Sequence, residues 1–267
     1  MCRLLGYAAA GPTSLRDLVG DGGLDAFTAL STQHRDGWGM AWCETGGLVA
    51  EKAPGAAKDS DRWHALAGRR LSNCGIAHLR WATPTLDVTD VNTHPFVEDG
   101  MAFAHNGRML PVADVENLLS ADSRAGLAGT TDSERYFALI RSRLTESGGD
   151  VLTAFRSASD DLLRHATCSS LNSVLLTGST LYALSCFDER LRPIPAEPEH
   201  FVLRWRRSAD AVVVASSGWS HDDWDAVPNG HVLVVDRASR DVQILPFATP
   251  PGAPEPAGTI PADRRCT

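Results

Sequence analysis

The 267-residue chain has 33 acidic and 25 basic residues, a formal net charge of −8, and a hydrophobic fraction of 43%. This composition can bury a substantial core in one large domain. The acidic balance and the absence of an arginine-rich block argue against nucleic acid and anionic membranes as partners, so we expect a small-molecule substrate.

The first predicted elements begin at the very N-terminus. In chain order they are a strand over 2–8, a helix over about 14–19, a hairpin of strands over 37–43 and 47–52, and a helix over 60–71. Gly11-Pro12 follows the first strand, and Thr45-Gly46 separates the two strands of the hairpin. Because the first strand begins at residue 2, we expect the N-terminus to lie inside the fold.

The next strand, residues 74–81, carries residues of chemical interest. Its alternation places two sets of side chains on opposite faces, namely Cys74, Ile76, His78 and Arg80 on one and Ala77, Leu79 and Trp81 on the other. A long irregular stretch over 83–100 follows, before a strand over Met101–Asn106. Irregular segments of this length inside a compact domain are often functional.

Two helices separate this region from a second group of strands. Thr131-Asp132-Ser133-Glu134 is a capping-box pattern that opens an amphipathic helix, and a second amphipathic helix follows it. The later strands are predicted over 172–178, 180–186, 201–206, 211–216, 231–236 and 241–245. Strands, then two adjacent helices, then more strands indicate stacked sheets flanked by helices. The proline-rich residues 248–267 predict a disordered tail.

The six cysteines, at positions 2, 43, 74, 168, 186 and 266, show neither a C-x-x-C pair nor a regular spacing. This spacing indicates neither a disulfide framework nor a zinc ribbon. No apolar run approaches the roughly 18 to 20 residues that cross a bilayer. We therefore expect a cytoplasmic protein with no metal and no cofactor.

Cys2 is chemically unusual because of its position. Removal of Met1, which a small second residue favours, would give Cys2 a free α-amino group with a reference pKa of about 7.7 to 8.0. That amine could act as a base for the thiol of the same residue. By composition alone, a small apolar residue near a frayed terminus is the simpler interpretation.

Three further residue groups could support attack of this thiol on an amide. Asn106-Gly107 lies at the end of a predicted buried strand and could donate hydrogen bonds to an oxyanion, although for the pair taken alone a plain Asn-Gly turn is the favoured interpretation. A γ-glutamyl substrate carries an α-carboxylate and an α-ammonium. Arg80 could bind the first and Asp132 the second. A surface salt bridge for Arg80 and helix capping for Asp132 are the alternatives.

Four segments follow Cys2 in a characteristic order: Gly75–Thr83, Asn92–Phe96, Ala104–Gly107 and Thr131–Glu134. Together with the cysteine at position 2, they resemble the class II glutamine amidotransferases over roughly residues 2–245. The resemblance implies an α+β fold of the N-terminal-nucleophile hydrolases, with two stacked, mainly antiparallel sheets flanked by helices in four αββα layers. It predicts one such domain over residues 2–247.

The resemblance also implies a role for each matching residue. It predicts Cys2 as the nucleophile, Asn106 and Gly107 as the oxyanion hole, Arg80 and Asp132 as ligands of the substrate carboxylate and ammonium, and Trp81, Thr83 and His94 as the pocket lining. The segment His34–Gly39 is similar to that of small stand-alone members, including the γ-glutamyl hydrolase of the ergothioneine pathway. Pro84 departs from the family pattern, so the loop over the substrate is expected to differ.

Two activities follow from these observations. The first is hydrolysis of a γ-glutamyl amide without a partner, and the second is a glutaminase subunit that passes ammonia to a separate synthase protein. No synthase domain is recognisable after residue 247, which favours the first. A non-catalytic binding protein with this fold is a third alternative. A metal enzyme using His78, His94 and His105 is a fourth, although the sequence contains no H-x-x-x-H or H-E-x-x-H pair.

Overall fold

The computed structural model describes residues 2–83, 86–192, 199–219, 221 and 223–251. Within these ranges the strands are β1 (Arg3–Thr13), β2 (Gly37–Glu44), β3 (Gly47–Ala53), β4 (Ser72–Arg80), β5 (Phe96–Glu98), β6 (Met101–Asn106), β7 (Met109–Leu110), β8 (Thr167–Cys168), β9 (Asn172–Leu176), β10 (Thr180–Ser185), β11 (Leu203–Arg207), β12 (Ala211–Ser216), β13 (Asp225–Ala226), β14 (His231–Asp236) and β15 (Val242–Pro246). The α-helices are α1 (Leu15–Ala29), α2 (Asp61–Arg69), α3 (Val112–Asn117), α4 (Ala121–Ala125), α5 (Asp132–Glu146) and α6 (Val151–His165).

The strands form two large sheets and one small ribbon. The first sheet has the order β13-β11-β12-β1-β4-β2-β3, the second has the order β15-β14-β10-β9-β6-β5, and β7 pairs with β8. The pairings of β1 with β12 and with β4 are antiparallel. Because β1 lies between these two strands, the start of the chain is held inside the first sheet, as the sequence predicts.

Three apolar clusters define the layers. Leu4, Ile76 and Val174 belong to the cluster between the two sheets. Phe27 of α1 and Trp63 of α2 belong to the cluster on the outer face of the first sheet. A third cluster holds α5 and α6 on the second sheet, and its aromatic members include Phe103, Tyr136, Phe137 and Phe155. The order helix, sheet, sheet, helix confirms the predicted αββα architecture.

Strand β4 is covered on both faces, as its alternation predicts. Ile76 faces the second sheet, whereas Ala77 and Leu79 face the helix layer. Burying a side chain such as Leu79 contributes about 1.5 to 3 kcal/mol, so this strand is a strong anchor. His78 and Arg80 share the face of Ile76, and burial there removes both polar side chains from water.

Several element boundaries differ from the sequence prediction. Helix α1 continues to Ala29 because it resumes after a kink at Gly20, where φ is 76°, and buries Leu24 and Phe27. The irregular stretch 83–100 contains strand β5, which pairs with β6. Helices α3 and α4 were not predicted because they bury almost no side chains, which leaves no apolar periodicity in the sequence.

The C-terminal residues follow the second sheet before the described range ends. Phe247 is buried, and the Ala248 amide donates a hydrogen bond of 3.1 Å to the Gly230 carbonyl. The predicted disordered tail falls mainly on residues 252–267, outside the described residues, and stays a prediction, as does the domain boundary at residue 247. No α-helix of the described ranges is long and apolar enough to span a membrane.

Candidate active site

Cys2 precedes strand β1 and is only 8% exposed. The β1–β4 register pairs Arg3 with Leu79, which brings Cys2 beside Arg80 and Trp81. The Sγ atom of Cys2 donates a weak hydrogen bond of 3.8 Å to the Trp81 carbonyl. Burial raises the pKa of the Cys2 thiol, and this effect outweighs the opposing influence of Arg80. The thiol therefore stays protonated until a base removes its proton.

Arg80 is buried, with 2% of its surface exposed, so the surface salt bridge considered from the sequence is wrong. Its Nη2 donates a hydrogen bond of 3.0 Å to the Asp87 carbonyl, and its buried Nη1 has no partner among the described residues. No ion pair between described residues includes Arg80. Burial lowers the pKa of its guanidinium, although Cys2 and Asp36 oppose this. One face of this cation is therefore available to a carboxylate.

Asp132 is the first residue of α5, and the cap of that helix is Thr131, whose Oγ1 accepts a hydrogen bond of 3.1 Å from the Glu134 amide. Glu134 does not complete a capping box, because its carboxylate accepts hydrogen bonds from the Ala128 and Gly129 amides instead. Asp132 itself accepts a 2.7 Å hydrogen bond from the Met109 amide. It has no ion-pair partner among the described residues, so its carboxylate can receive an ammonium.

Asn106 ends strand β6, which packs against β1 and β4 across the sheet interface. The side chain is fully buried, yet neither Nδ2 nor Oδ1 has a hydrogen-bond partner among the described residues. Buried amides of this kind are rare because an unpaired polar group costs about 1 to 3 kcal/mol. Asn106 therefore has an unused donor at the end of the strand.

Gly107 follows Asn106 where the chain passes very close to a neighbouring segment. A Cβ atom at this position would lie 1.9 Å from the Ser170 carbonyl oxygen and 2.7 Å from Nε2 of His105. Only glycine fits this contact. The preceding His105 is fixed by hydrogen bonds to Ser133 Oγ at 2.9 Å and to the Ser170 carbonyl at 3.0 Å. The end of β6 is thus connected directly to the start of α5.

His94 lies on the irregular segment that crosses the first sheet. The segment approaches β2 closely at Gly39, where a Cβ atom would lie 2.2 Å from the His94 carbonyl oxygen. Lys52 of β3 donates a 2.7 Å hydrogen bond to the Thr93 carbonyl. The His94 ring contacts those of His78 and Phe96, with centroid separations of 4.3 and 4.7 Å. This packing brings His94 next to Cys2.

Trp81 and Thr83 occupy the outer side of the site. Trp81 is 41% exposed, and its ring packs edge-on against His34 at 5.5 Å. The Thr83 carbonyl accepts a 2.9 Å hydrogen bond from the Leu86 amide. No hydrogen bond of the described residues joins the Thr83 side chain to Cys2 or Arg80. The structure thus brings Cys2, Arg80, Trp81, His94 and Asp132 together. The role of Thr83 in the pocket lining stays a prediction, and Pro84 lies outside the described residues.

Two positioning residues were missed by the sequence interpretation. The Asp36 amide donates to the Arg80 carbonyl at 3.0 Å, and the Asp36 carboxylate accepts from the Ala82 amide at 2.8 Å. Asn92 donates to the Asp87 carbonyl at 3.2 Å and accepts from the Thr130 amide at 2.8 Å. Asp36 lies in the His34–Gly39 segment, and the similarity of that segment to small family members was the sequence feature that could have identified it. Asn92 belongs to the Asn92–Phe96 motif, which by itself does not indicate this bridging role.

Comparison with known proteins identifies the family of the chain. The model of the family "Glutamine amidotransferases class-II" matches residues 1–251. Uncharacterized protein MJ1515 of Methanocaldococcus jannaschii is 26% identical over 259 residues, which cover 88% of this chain and 69% of that protein. The putative glutamine amidotransferase YafJ of Escherichia coli is 29% identical over 189 residues, which cover 65% of this chain and 69% of YafJ.

Larger and structurally known relatives show the same domain. A glutamine–fructose-6-phosphate aminotransferase of Agrobacterium fabrum is 29% identical over 168 residues, which cover 62% of this chain but only 25% of that enzyme. The solved glutamine aminotransferase class-II domain protein of Silicibacter pomeroyi superposes with a TM-score of 0.64 at 20% identity, covering 93% of this chain and all of that one.

The glutamine phosphoribosylpyrophosphate amidotransferase of Bacillus subtilis superposes with a TM-score of 0.61 at 16% identity, covering 92% of this chain and 49% of that one. These structural likenesses establish the fold, and the family match covers nearly the whole chain. The chain therefore belongs to the class II glutamine amidotransferases, a family of enzymes that act on C–N bonds.

Proposed function

We propose that this chain hydrolyses a γ-glutamyl amide, either glutamine or a γ-glutamyl-linked metabolite, through a γ-glutamyl thioester on Cys2. One observation carries the proposal: the buried thiol of Cys2 lies within electrostatic reach of a buried cation, Arg80, and a buried carboxylate, Asp132. Strand β6, which ends at the unpaired side-chain amide of Asn106, packs against β1, the strand that follows Cys2. A cation, an anion and a neutral donor match the carboxylate, the ammonium and the developing oxyanion of such a substrate.

The first chemical step needs a base because burial keeps the Cys2 thiol protonated. After removal of Met1, the α-amine of Cys2 takes the thiol proton and Sγ attacks the amide carbon. Arg3 lies close by, since its Nη1 donates a 3.2 Å hydrogen bond to the Cys2 carbonyl. This buried cation favours the neutral, basic form of the amine. The amine then protonates the departing nitrogen, the C–N bond breaks, and water hydrolyses the thioester to glutamate.

Asn106 is proposed to donate Nδ2–H to the oxyanion, together with the Gly107 amide. The Asn106→Ala variant is expected to lose about 10²- to 10³-fold in kcat with little change in KM, because the oxyanion forms only in the transition state. Steady-state kinetics with glutamine would measure this. Asn117→Ala, at an exposed position of α3, is the matched control. A loss confined to KM would show that Asn106 binds the ground state instead.

Arg80 is proposed to bind the substrate carboxylate through its unpartnered Nη1. A charge-assisted hydrogen bond contributes about 1.5 to 3 kcal/mol, so Arg80→Ala should raise KM by about 10- to 100-fold. The control is Arg62→Ala, because Arg62 lies on α2 and is exposed. Thermal unfolding of both variants separates binding from folding. An unchanged KM in a folded Arg80→Ala protein would place the carboxylate site elsewhere.

The names of the relatives support glutamine as the γ-glutamyl substrate to test first. The proposed site has groups for the glutamyl part of the substrate, but none that distinguishes one leaving group from another. Purified protein should therefore be given glutamine and a panel of γ-glutamyl amides, with asparagine as the control one methylene shorter. Release of glutamate from at least one γ-glutamyl compound supports the proposal. Failure to cleave any of them, with no labelling of Cys2 by a diazo-ketone glutamine analogue, would instead favour a non-catalytic binding protein.

The second candidate function is a glutaminase subunit with a separate synthase partner. The fructose-6-phosphate aminotransferase of Agrobacterium fabrum supports this candidate, because the match covers only 25% of that enzyme. The rest of that enzyme is a region that this match does not include. Slow hydrolysis of glutamine that accelerates on addition of a co-purifying partner would support this function. A cytoplasmic location stays a prediction, and cell fractionation would test it.

A further inference from the structure

Beside the thiol of Cys2 lie two histidines that the proposed reaction does not use as acids or bases. One ligand atom each of Cys2, His78 and His94 lies within 4.8 Å of the other two, and all three residues are buried. His78 is in the middle of β4, opposite Leu4 of β1 and Gly39 of β2. Three side chains from separate parts of the sequence thus converge on one point.

Both histidines have free lone pairs at this point. Neither Nδ1 nor Nε2 of His78 or His94 has a hydrogen-bond partner among the described residues. Burial lowers the pKa of His78 to about 3 and that of His94 well below its usual value. Both imidazoles are therefore neutral at physiological pH, which is the form that binds metal ions.

The two rings are also held in place before any ligand binds. Phe96 and His78 pack against the His94 ring. His78 lies within β4 between β1 and β2, and its ring is fully buried there.

His105, the third histidine of this region, is not available as a ligand. Its two ring nitrogens are occupied by Ser133 Oγ and the Ser170 carbonyl. The metal enzyme considered from the sequence, with His78, His94 and His105 as ligands, is therefore not supported by the geometry. The structure replaces His105 with Cys2 in the candidate set.

We propose that Cys2, His78 and His94 form an inhibitory binding site for a thiophilic divalent cation of the Zn²⁺ type. This inference rests on the proposed function in so far as Cys2 is the nucleophile. On binding, the thiol loses its proton to solvent, an S–Zn bond forms, and each imidazole donates a lone pair. The free α-amine of Cys2 is a suitable fourth ligand, because it closes a five-membered chelate ring with Sγ.

The geometry and the charges are compatible with reversible binding. Zn–S bonds of about 2.3 Å and Zn–N bonds of about 2.0 to 2.1 Å require ligand atoms nearer than 4.8 Å, so the side chains must close by about 1 Å. The thiolate and the nearby Asp132 favour a cation, whereas Arg80 and Arg3 oppose it. A metal held this way blocks the nucleophile but can be removed by a chelator.

Cobalt(II) is the probe for this site, because a thiolate ligand gives it a charge-transfer band in the near ultraviolet. Titration of the full-length, Met1-processed protein with Co²⁺ under a phosphine reductant should produce this band at one equivalent. Zn²⁺ should then abolish it, and Zn²⁺ should inhibit any γ-glutamyl hydrolysis until a chelator is added. Prior alkylation of Cys2 by the diazo-ketone glutamine analogue should prevent the band.

Variants assign the ligands. His78→Gln and His94→Gln should each weaken Co²⁺ binding at least tenfold. Two controls should bind Co²⁺ like the parent protein, namely Cys74→Ser, a buried thiol on β4, and His64→Gln, an exposed imidazole. If one histidine variant fails to fold, the other histidine variant still tests whether an imidazole binds the metal. The alkylated parent protein tests whether the Cys2 thiol binds it.

The outcomes separate the metal site from the proposed reaction. Hydrolysis of a γ-glutamyl amide without a stoichiometric cobalt band overturns the metal site alone. A cobalt band that depends on Cys2, His78 and His94 in a protein without hydrolytic activity overturns the proposed function and leaves the metal site standing. A band that persists in both folded histidine variants shows that the metal binds elsewhere and refutes the ligand set.

Discussion

Cys2→Ala protein is expected to lose γ-glutamyl hydrolysis almost completely while keeping its fold. Without Sγ no thioester can form, and removal of a catalytic nucleophile typically lowers kcat by about 10⁴-fold or more. Arg80, Asp132 and Asn106 are still present in this variant, so it should bind glutamine. Initial rates of glutamate release and the thermal midpoint, both measured on the purified variant, check the two halves of this expectation.

The control for this experiment is Cys74→Ser, which alters a buried thiol outside the proposed reaction. The parent protein and Cys74→Ser should take up one diazo-ketone adduct, whereas Cys2→Ala should take up none. The intact mass of the active parent protein should correspond to a chain that begins at Cys2. Full activity in Cys2→Ala, or in protein that retains Met1, would contradict the mechanism.

Much of the fold was predictable because its elements have strong local patterns. Strand β6 begins and ends at the residues expected from its apolar run, and Thr131 caps α5 as its motif predicts. The faces of β4 follow from simple alternation. Helix α1 was underestimated because glycines normally end helices, whereas here the chain resumes the helix after Gly20 to bury Phe27.

The environment of the candidate site was less predictable because it depends on strand register and on close backbone contacts. Cys2 meets Arg80 and Trp81 only because β1 and β4 are adjacent and aligned at Arg3 and Leu79. The approach of His94 to His78 depends on Gly39, which lets the irregular segment contact β2. A single sequence shows neither relation. The contact between the two histidines and the hydrogen bonds of Asp36 to the backbone of Arg80 and Ala82 are therefore seen only in the structure.

The buried histidines also predict steep acid unfolding. Burial lowers the pKa of His34 to about 2 and those of His78 and His200 to about 3, and lowers the pKa of His94 and His105 as well. In the unfolded chain each imidazole regains a pKa of about 6.5. Below that pH the unfolded state therefore binds more protons than the folded state, so the free energy of unfolding falls as the pH falls.

The size of this effect makes it measurable. Each strongly shifted histidine removes about 1.4 kcal/mol per pH unit below its unfolded pKa, so His34, His78, His94 and His200 together remove up to about 5 kcal/mol per unit. Because domains are stable by about 5 to 15 kcal/mol, we expect full stability above pH 6.5 and unfolding within about two pH units below it. Urea unfolding at a series of pH values would give the slope.

Replacement of one buried imidazole tests the origin of this slope. His34→Gln should reduce the loss of unfolding free energy by about 1.4 kcal/mol per pH unit below pH 6.5, because one fewer proton is taken up on unfolding. His64→Gln, which removes an exposed imidazole, should leave the slope unchanged. A stability that is flat between pH 7.5 and about 5 would mean that these histidines are hydrated or protonated in the folded protein.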